Sequence, residues 1–297
     1  MPLYTVRNEA AVKIHSVLGM KRLLFLFLLA GTLINNHAQQ HNETIDLKKL
    51  AKIVLPPAYQ TRVIGGRVTT NAKLGGYLMA MRYYNNFICG GSLIHELIVL
   101  TAAHCFEDRA ETEAWSVDGG ISRLSEKGIR RQVKRIMKSA QFKMVTMNMD
   151  VAVVLLNRPM VGKNIGTLSL CSMPLTPGQT MVVSGWGMTN PDDEGPGHML
   201  RTVSVPVIDK RICRDAYRES VSISDSMFCA SVLGKKDACT YDSGGPMVYE
   251  NQVCGIVSFG IGCASRRYPG VYTDVHYVKP FIVKSIKALL SRSKTMK

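Results

Sequence analysis

Short β-branched stretches punctuate the chain: Ser92–Leu100, Asp150–Leu156, Thr180–Gly185, Arg201–Ile208, Val253–Phe259 and Gly270–Val275. Gly, Pro, Asn and Asp close each one off within a few residues. That rhythm predicts antiparallel strands with tight connections, a sandwich or barrel rather than alternating βαβ units. Only the carboxyl end has the helical period. Val278, Phe281, Ile282, Ile286, Leu289 and Leu290 recur at spacings of three and four, with Lys284, Lys287 and Arg292 between them. No internal repeat and no low-complexity tract is evident.

The front of the chain reads differently. Met20-Lys21-Arg22 precedes Leu23–Ile34, twelve residues of which ten are apolar and none charged. A basic flank before so short an apolar run predicts a secretory signal peptide, residues 1–38, with Met20 as the alternative start. Residues 39–62 are polar, carry the glycosylation sequon Asn42-Glu43-Thr44 and Pro56-Pro57, and end in Thr61-Arg62. That composition predicts an exposed segment with a basic cut site.

Composition narrows the classes. The chain has 297 residues, 46% apolar and 20% charged, enough for a sizeable core. The apolar runs are too short for a polytopic membrane protein. Eight cysteines in a secreted chain read as bridges rather than metal ligands. The net charge of +15 raises a nucleic-acid binder, but zinc spacings, a helix-turn-helix pattern and an aromatic-basic interleave are absent from the sequence. The expected secretion argues against nucleic acid as a partner, and composition leaves a secreted disulfide-bearing enzyme or a basic protein that binds acidic glycans.

Three segments carry the candidate chemistry. Thr101-Ala102-Ala103-His104-Cys105 follows an apolar run, Asp150-Val151-Ala152-Val153-Val154-Leu155 opens another, and Asp242-Ser243-Gly244-Gly245-Pro246 sets a hydroxyl in a tight turn. A serine hydroxyl needs a base within about 2.6–3.2 Å to act as a nucleophile at neutral pH. Histidine suits that role, and a buried carboxylate fixes its tautomer and stabilises the imidazolium. Each residue alone is more often structural; the three together, in this order, are not.

These segments, 46 and 93 residues apart, resemble the signatures of the chymotrypsin-like (trypsin-type) serine proteases. So do Val63-Ile64-Gly65-Gly66 after Arg62, Gly185-Trp186-Gly187, Ser258-Phe259-Gly260 and Pro269-Gly270-Val271-Tyr272-Thr273. The resemblance covers 63–297 and implies an all-β fold of two antiparallel six-stranded barrels with a C-terminal α-helix. It implies His104 as general base and acid, Asp150 as its orienter and Ser243 as nucleophile. Tyr241 and Ser243 would supply the oxyanion hole. Asp237, Ser258, Gly260 and Gly270 would bind substrate, with Asp237 selecting Arg or Lys by charge pairing. Ala238, where many trypsins carry Ser, should favour Arg over Lys.

The resemblance further implies a zymogen whose propeptide is residues 39–62. Cutting after Arg62 would free Val63 to pair with Asp242. The implied bridges are Cys89–Cys105, Cys213–Cys229 and Cys239–Cys263, leaving Cys171–Cys254 by elimination. No cofactor is implied. Gly119–Gln132, where calcium-binding relatives place two acids, holds Glu126 among Arg123, Lys127, Arg130 and Arg131, so no metal is expected. That basic stretch, continuing to Lys134, Arg135 and Lys138, reads as a solvated face or as a docking surface for an acidic glycan or protein. Protein substrates, protein inhibitors of proteases and a monomeric state complete the expected partners. One position departs: Tyr241 stands where the family usually has Gly. It predicts a narrow, inhibitor-resistant protease, with a catalytically weak or silent binding homologue as the alternative.

Overall fold

The computed structural model describes residues 66–188, 195–238 and 240–294. The expected signal peptide, the propeptide, Asn42, Arg62 and Val63 lie outside the described residues.

In chain order the strands are β1 (Arg67–Val68), β2 (Leu78–Tyr83), β3 (Asn86–His95), β4 (Ile98–Thr101), β5 (Trp115–Gly119), β6 (Ile129–Lys138) and β7 (Ala152–Leu156). After these come β8 (Ser169–Leu170), β9 (Thr180–Gly185), β10 (Arg201–Ile208), β11 (Met227–Ala230), β12 (Pro246–Tyr249), β13 (Gln252–Phe259) and β14 (Gly270–Asp274). Six of them close a first barrel in the order β2-β3-β4-β7-β6-β5. A second ring runs β10-β11-β14-β13-β12-β9 and closes through the β9–β10 pairing. Every step around both rings is antiparallel. The two short strands β1 and β8 attach outside the second ring, on β10 and β13.

Barrels this small are filled by their own side chains. Ile98, Val99, Leu100, Val153 and Val154 are fully buried, as are Met181, Val183, Val205 and Ile256. The apolar stretch Ser92–Leu100 is a hairpin and not one strand: His95 Nδ1 accepts the Leu97 N–H at 3.1 Å and the chain reverses there. The terminal helix, Val275–Lys294, lays Val275, Val278, Ile282 and Leu289 into the core at 0–1% exposure. Each such side chain contributes about 1.5–3 kcal/mol. Bridges join Cys89–Cys105, Cys213–Cys229 and Cys171–Cys254. Cys239 lies outside the described residues, and with it the expected Cys239–Cys263 bridge.

Candidate active site

The first barrel delivers the histidine. β4 ends at Thr101, the buried Ala102 and Ala103 follow, and a single 3-10 turn spans His104–Phe106. That turn points two donors of one residue at one acid. The His104 backbone N–H donates to Asp150 Oδ1 at 2.9 Å, and ring Nδ1 lies 2.8 Å from Oδ2. The Ser258 hydroxyl donates to the same Oδ2 at 2.5 Å. Asp150 is 0% exposed. Burial alone raises its pKa, but the His104 charge and the hydrogen bonds from His104 and Ser258 outweigh that, so the carboxyl sits below its usual range.

Asp150 precedes β7 on an unusual bend. Met147 and Met149 both hold φ of +53°, a left-handed conformation costing roughly 1–2 kcal/mol for such residues. The second barrel's chain clamps this bend. The Met149 N–H donates to Ser226 Oγ at 3.0 Å, and Ser226 Oγ donates to Asn148 Oδ1 at 3.1 Å. Thr273 Oγ1 donates to the Asp150 carbonyl at 2.9 Å. Asp150 is therefore carried by one barrel's chain and held from the other by Ser226, Ser258 and Thr273. Ser226 has no signature in the sequence, and Thr273, though it ends the segment Pro269–Thr273, has no role assigned to it there; a hydroxyl's burial is not legible from sequence.

The Ser243 turn is wedged between the barrels. The Gly90 N–H of β3 donates to the Ser243 carbonyl at 2.8 Å, and Gly244 N–H donates to the Val257 carbonyl at 2.8 Å. Gly244 has φ of +75°, and a Cβ there would stand 2.2 Å from Thr101 Oγ1 and 2.6 Å from the Gly90 carbonyl. Glycine is thus required for close approach to the segment that leads into His104. Ser243 itself stays half-exposed. Tyr241, two residues earlier, is also in the left-handed region at φ +75°, and its ring lies 6.5 Å from that of Phe87.

Two more carboxylates are buried beside the serine. Asp237, 2% exposed, accepts the Ala238 N–H at 2.9 Å. A Cβ on Gly270 would come within 2.3 Å of Asp237 Oδ1, so that glycine makes room for the carboxylate itself. Gly260 directly follows β13 and is buried. Asp242, 1% exposed, sits between two glycines. The Gly187 N–H donates to its Oδ1 at 2.8 Å, and a Cβ on Gly185 or Gly187 would fall 2.0 or 2.1 Å from its oxygens. Burial pushes its pKa well above the usual range; the Gly187 N–H offsets part of this, and nearby Asp237 adds to it.

Three cations of the basic stretch are spent on the fold. Arg130 binds Asp118 through Nε at 2.6 Å and Nη2 at 2.8 Å, Arg131 donates to the Pro159 carbonyl, and Lys138 pairs with Glu107. Glu126 accepts the Ser122 N–H at 2.6 Å. Cys89, His104 and Cys105 cluster, but the two sulfurs are joined to each other and are no thiolate ligands.

The family model described as Trypsin matches residues 63–282. Seminase of Drosophila melanogaster is 94% identical over 275 residues, 93% of this chain and all of that one. The vitellin-degrading protease of Bombyx mori is 34% identical over 241 residues, 78% of this chain and 89% of that one. Among solved structures, neuropsin, a serine protease expressed in the limbic system of mouse brain, superposes with a TM-score of 0.69 at 27% identity. That match covers 75% of this chain and the whole of neuropsin.

Proposed function

The chain belongs to the trypsin family of serine proteases and is a serine endopeptidase, and from that premise we propose that it cuts protein substrates after Arg, and less well after Lys, once freed from a propeptide. The observation that carries the reading is the imidazole orientation. With Nδ1 committed to a fully buried Asp150, Nε2 is the nitrogen left to serve Ser243. His104 takes the Ser243 proton as Oγ attacks the carbonyl carbon, and Asp150 stabilises the imidazolium. The backbone N–H groups of Tyr241 and Ser243 receive the oxyanion; one such donor is worth about 10²–10³ in rate. His104 then hands its proton to the leaving amine, and water resolves the acyl-enzyme by the same route.

Asp237 supports the arginine preference. A guanidinium can fork onto a desolvated carboxylate unaided, whereas an ammonium loses more from having Ala238 in place of a hydroxyl. Asp242 supports the zymogen step. A buried carboxyl raised so far is stabilised by a cation, which the ammonium of Val63 would bring after cleavage at Arg62. We assign the chain to the secreted, extracellular class on its front segment; among the described residues no helix is long and apolar enough to cross a membrane. It acts as a monomer, without cofactor or metal. An acidic glycan would find mainly Lys134 and Arg135 uncommitted on β6, so the solvated-face reading of that strand is favoured.

The test compares uncut chain, Arg62-cleaved chain and cleaved Ser243→Ala on paired Arg and Lys peptides. Turnover only by the cleaved parent, with Arg ahead of Lys, is expected. Equal rates on the pair would refute the specificity. A cleaved, folded chain that hydrolyses neither would instead make it the silent binding homologue, with Tyr241 the cause.

A further inference from the structure

A cavity of about 650 Å³ lies against Phe87, the ring neighbour of Tyr241. Its wall includes Arg82, Asn85, Phe87, Leu124, His198 and Arg201. Phe87 ties it to the site. That residue lies in β3 three positions before Gly90, whose N–H holds the Ser243 carbonyl, and its ring faces that of Tyr241. Three strand residues span roughly 10 Å, which an extended substrate covers in two to three residues. A substrate with Arg against Asp237 and its backbone along Ser258–Gly260 must lead its leaving half the other way, past Tyr241 to this cavity.

The wall's chemistry is one-sided. Arg82 gives Nε to Asp118 Oδ2 at 2.7 Å, Nη1 to the Asn85 carbonyl at 3.0 Å and Nη2 to the Leu124 carbonyl at 2.6 Å. A guanidinium has five N–H groups, so two remain. Arg201 is half-buried and gives one, from Nη1 to the Gly66 carbonyl at 3.1 Å. Asn85 Oδ1 accepts from Arg130 Nη1 at 2.8 Å, and its NH₂ adds a further donor group to the wall. Asp118, behind Arg82, is shared by two guanidiniums. No carboxylate is among the described residues of the wall.

We propose that this cavity is a leaving-side subsite for an acidic side chain, with Arg82 and Arg201 selecting substrates that carry Asp or Glu at the second or third residue after the cut. This rests on the Arg-peptidase reading. Arg82 is buried and already paired with Asp118, and Arg201 is half-buried, which limits the gain to about 5–10-fold in kcat/KM for the acid over its amide.

The experiment uses Arg62-cleaved enzyme and peptides with Arg at the cut that differ only in Glu against Gln at those two positions. A Glu:Gln ratio of about 5–10 at low salt is expected, falling at 1 M salt and shrinking to below about 2 in Arg201→Gln. If that variant fails to fold, the salt dependence of the parent's ratio decides. Binding of the same peptides to cleaved Ser243→Ala is the second readout, and should give the same ratio as dissociation constants. A chain inert to both peptides but with that binding ratio would remove the peptidase reading and keep the subsite. Equal kcat/KM or equal binding would overturn the subsite.

Discussion

Replacing Gly187 by Ala tests whether Asp242 governs the active site. Gly187 needs no left-handed backbone, so alanine's backbone is tolerated and the effect is steric. The added Cβ would stand 2.1 Å from Asp242 Oδ2, 2.5 Å from Cγ and 2.8 Å from Oδ1, where ordinary contact is about 3.4 Å or more. The carboxylate must retreat by about 1 Å, which breaks the 2.8 Å bond from the Gly187 N–H and drags the backbone of its neighbours Tyr241 and Ser243. Overpacking costs about 1–3 kcal/mol of stability. Losing one oxyanion donor costs about 10²–10³ in kcat, so at least a hundredfold loss is expected. Active-site titration of cleaved enzyme and kcat on an Arg amide measure it. Because the change acts through one carboxylate, Gly187→Ala should add little to the damage of Asp242→Ala. Parental kcat in Gly187→Ala, or full additivity in the double variant, would refute the reasoning.

Tyr241→Gly removes a left-handed tyrosine, returning about 1–2 kcal/mol of strain against about 0.5–1.5 lost with the Phe87 contact, so Tm should move by only a few degrees. Protein inhibitors should bind at least about tenfold tighter, since the ring narrows the leaving side; unchanged inhibition and turnover together would show that Tyr241 has no such role. Ser226→Ala removes the acceptor of the part-buried Met149 N–H at a cost of about 1 kcal/mol and lets the bend before Asp150 relax, so kcat should fall about tenfold or more with KM held. A lower Tm with parental kcat would make Ser226 merely structural. Calorimetry of uncut chain against Asp242→Asn from pH 7 to 5 reads the raised Asp242 carboxyl. Its folded pKa exceeds the unfolded value near 4, so its stabilisation is complete below about 4 and is lost as pH rises toward the folded value. On acidification the parent should therefore gain Tm relative to Asp242→Asn, while Asp150, shared by both, cancels; a constant gap would sink that account.

The β-rich class and the terminal helix were legible because each rests on local composition, and the segments around His104, Asp150 and Ser243 stood out as motifs. β9 and β10 coincide with their apolar runs, Thr180–Gly185 and Arg201–Ile208. β6 was not legible as a strand. Ile129–Lys138 buries only Val133 fully and carries five cations, so its pairing with β5 and β7 decides its conformation, not its own residues. Gly270 was expected among the substrate-binding residues, and the need for glycine there to clear the Asp237 carboxylate was not legible in the sequence. The left-handed Met147 and Met149 had no warning at all. Methionine has no preference for that region, and only the clamp from Ser226, distant in sequence, holds it there.

Three aspartates, each at most 2% exposed, show why spacing alone could not rank them. Asp150 is met by two donors from His104 and one from Ser258, and its carboxyl is held low. Asp242 has the Gly187 N–H against a near neighbour of like charge, and its carboxyl is driven high. The same Asp237 and Asp242 also help push the buried Tyr272 hydroxyl upward, after burial itself. Equal burial with opposite shifts means that the charge facing each acid, His104 for Asp150 and Asp237 for Asp242, and not depth alone, sets its character. A carboxylate already satisfied can orient a base without taking its proton. One that burial disfavours responds to the arrival of a cation. The first suits a permanent part of the catalytic unit, and the second would suit the proposed step in which cleavage after Arg62 brings the Val63 ammonium to Asp242.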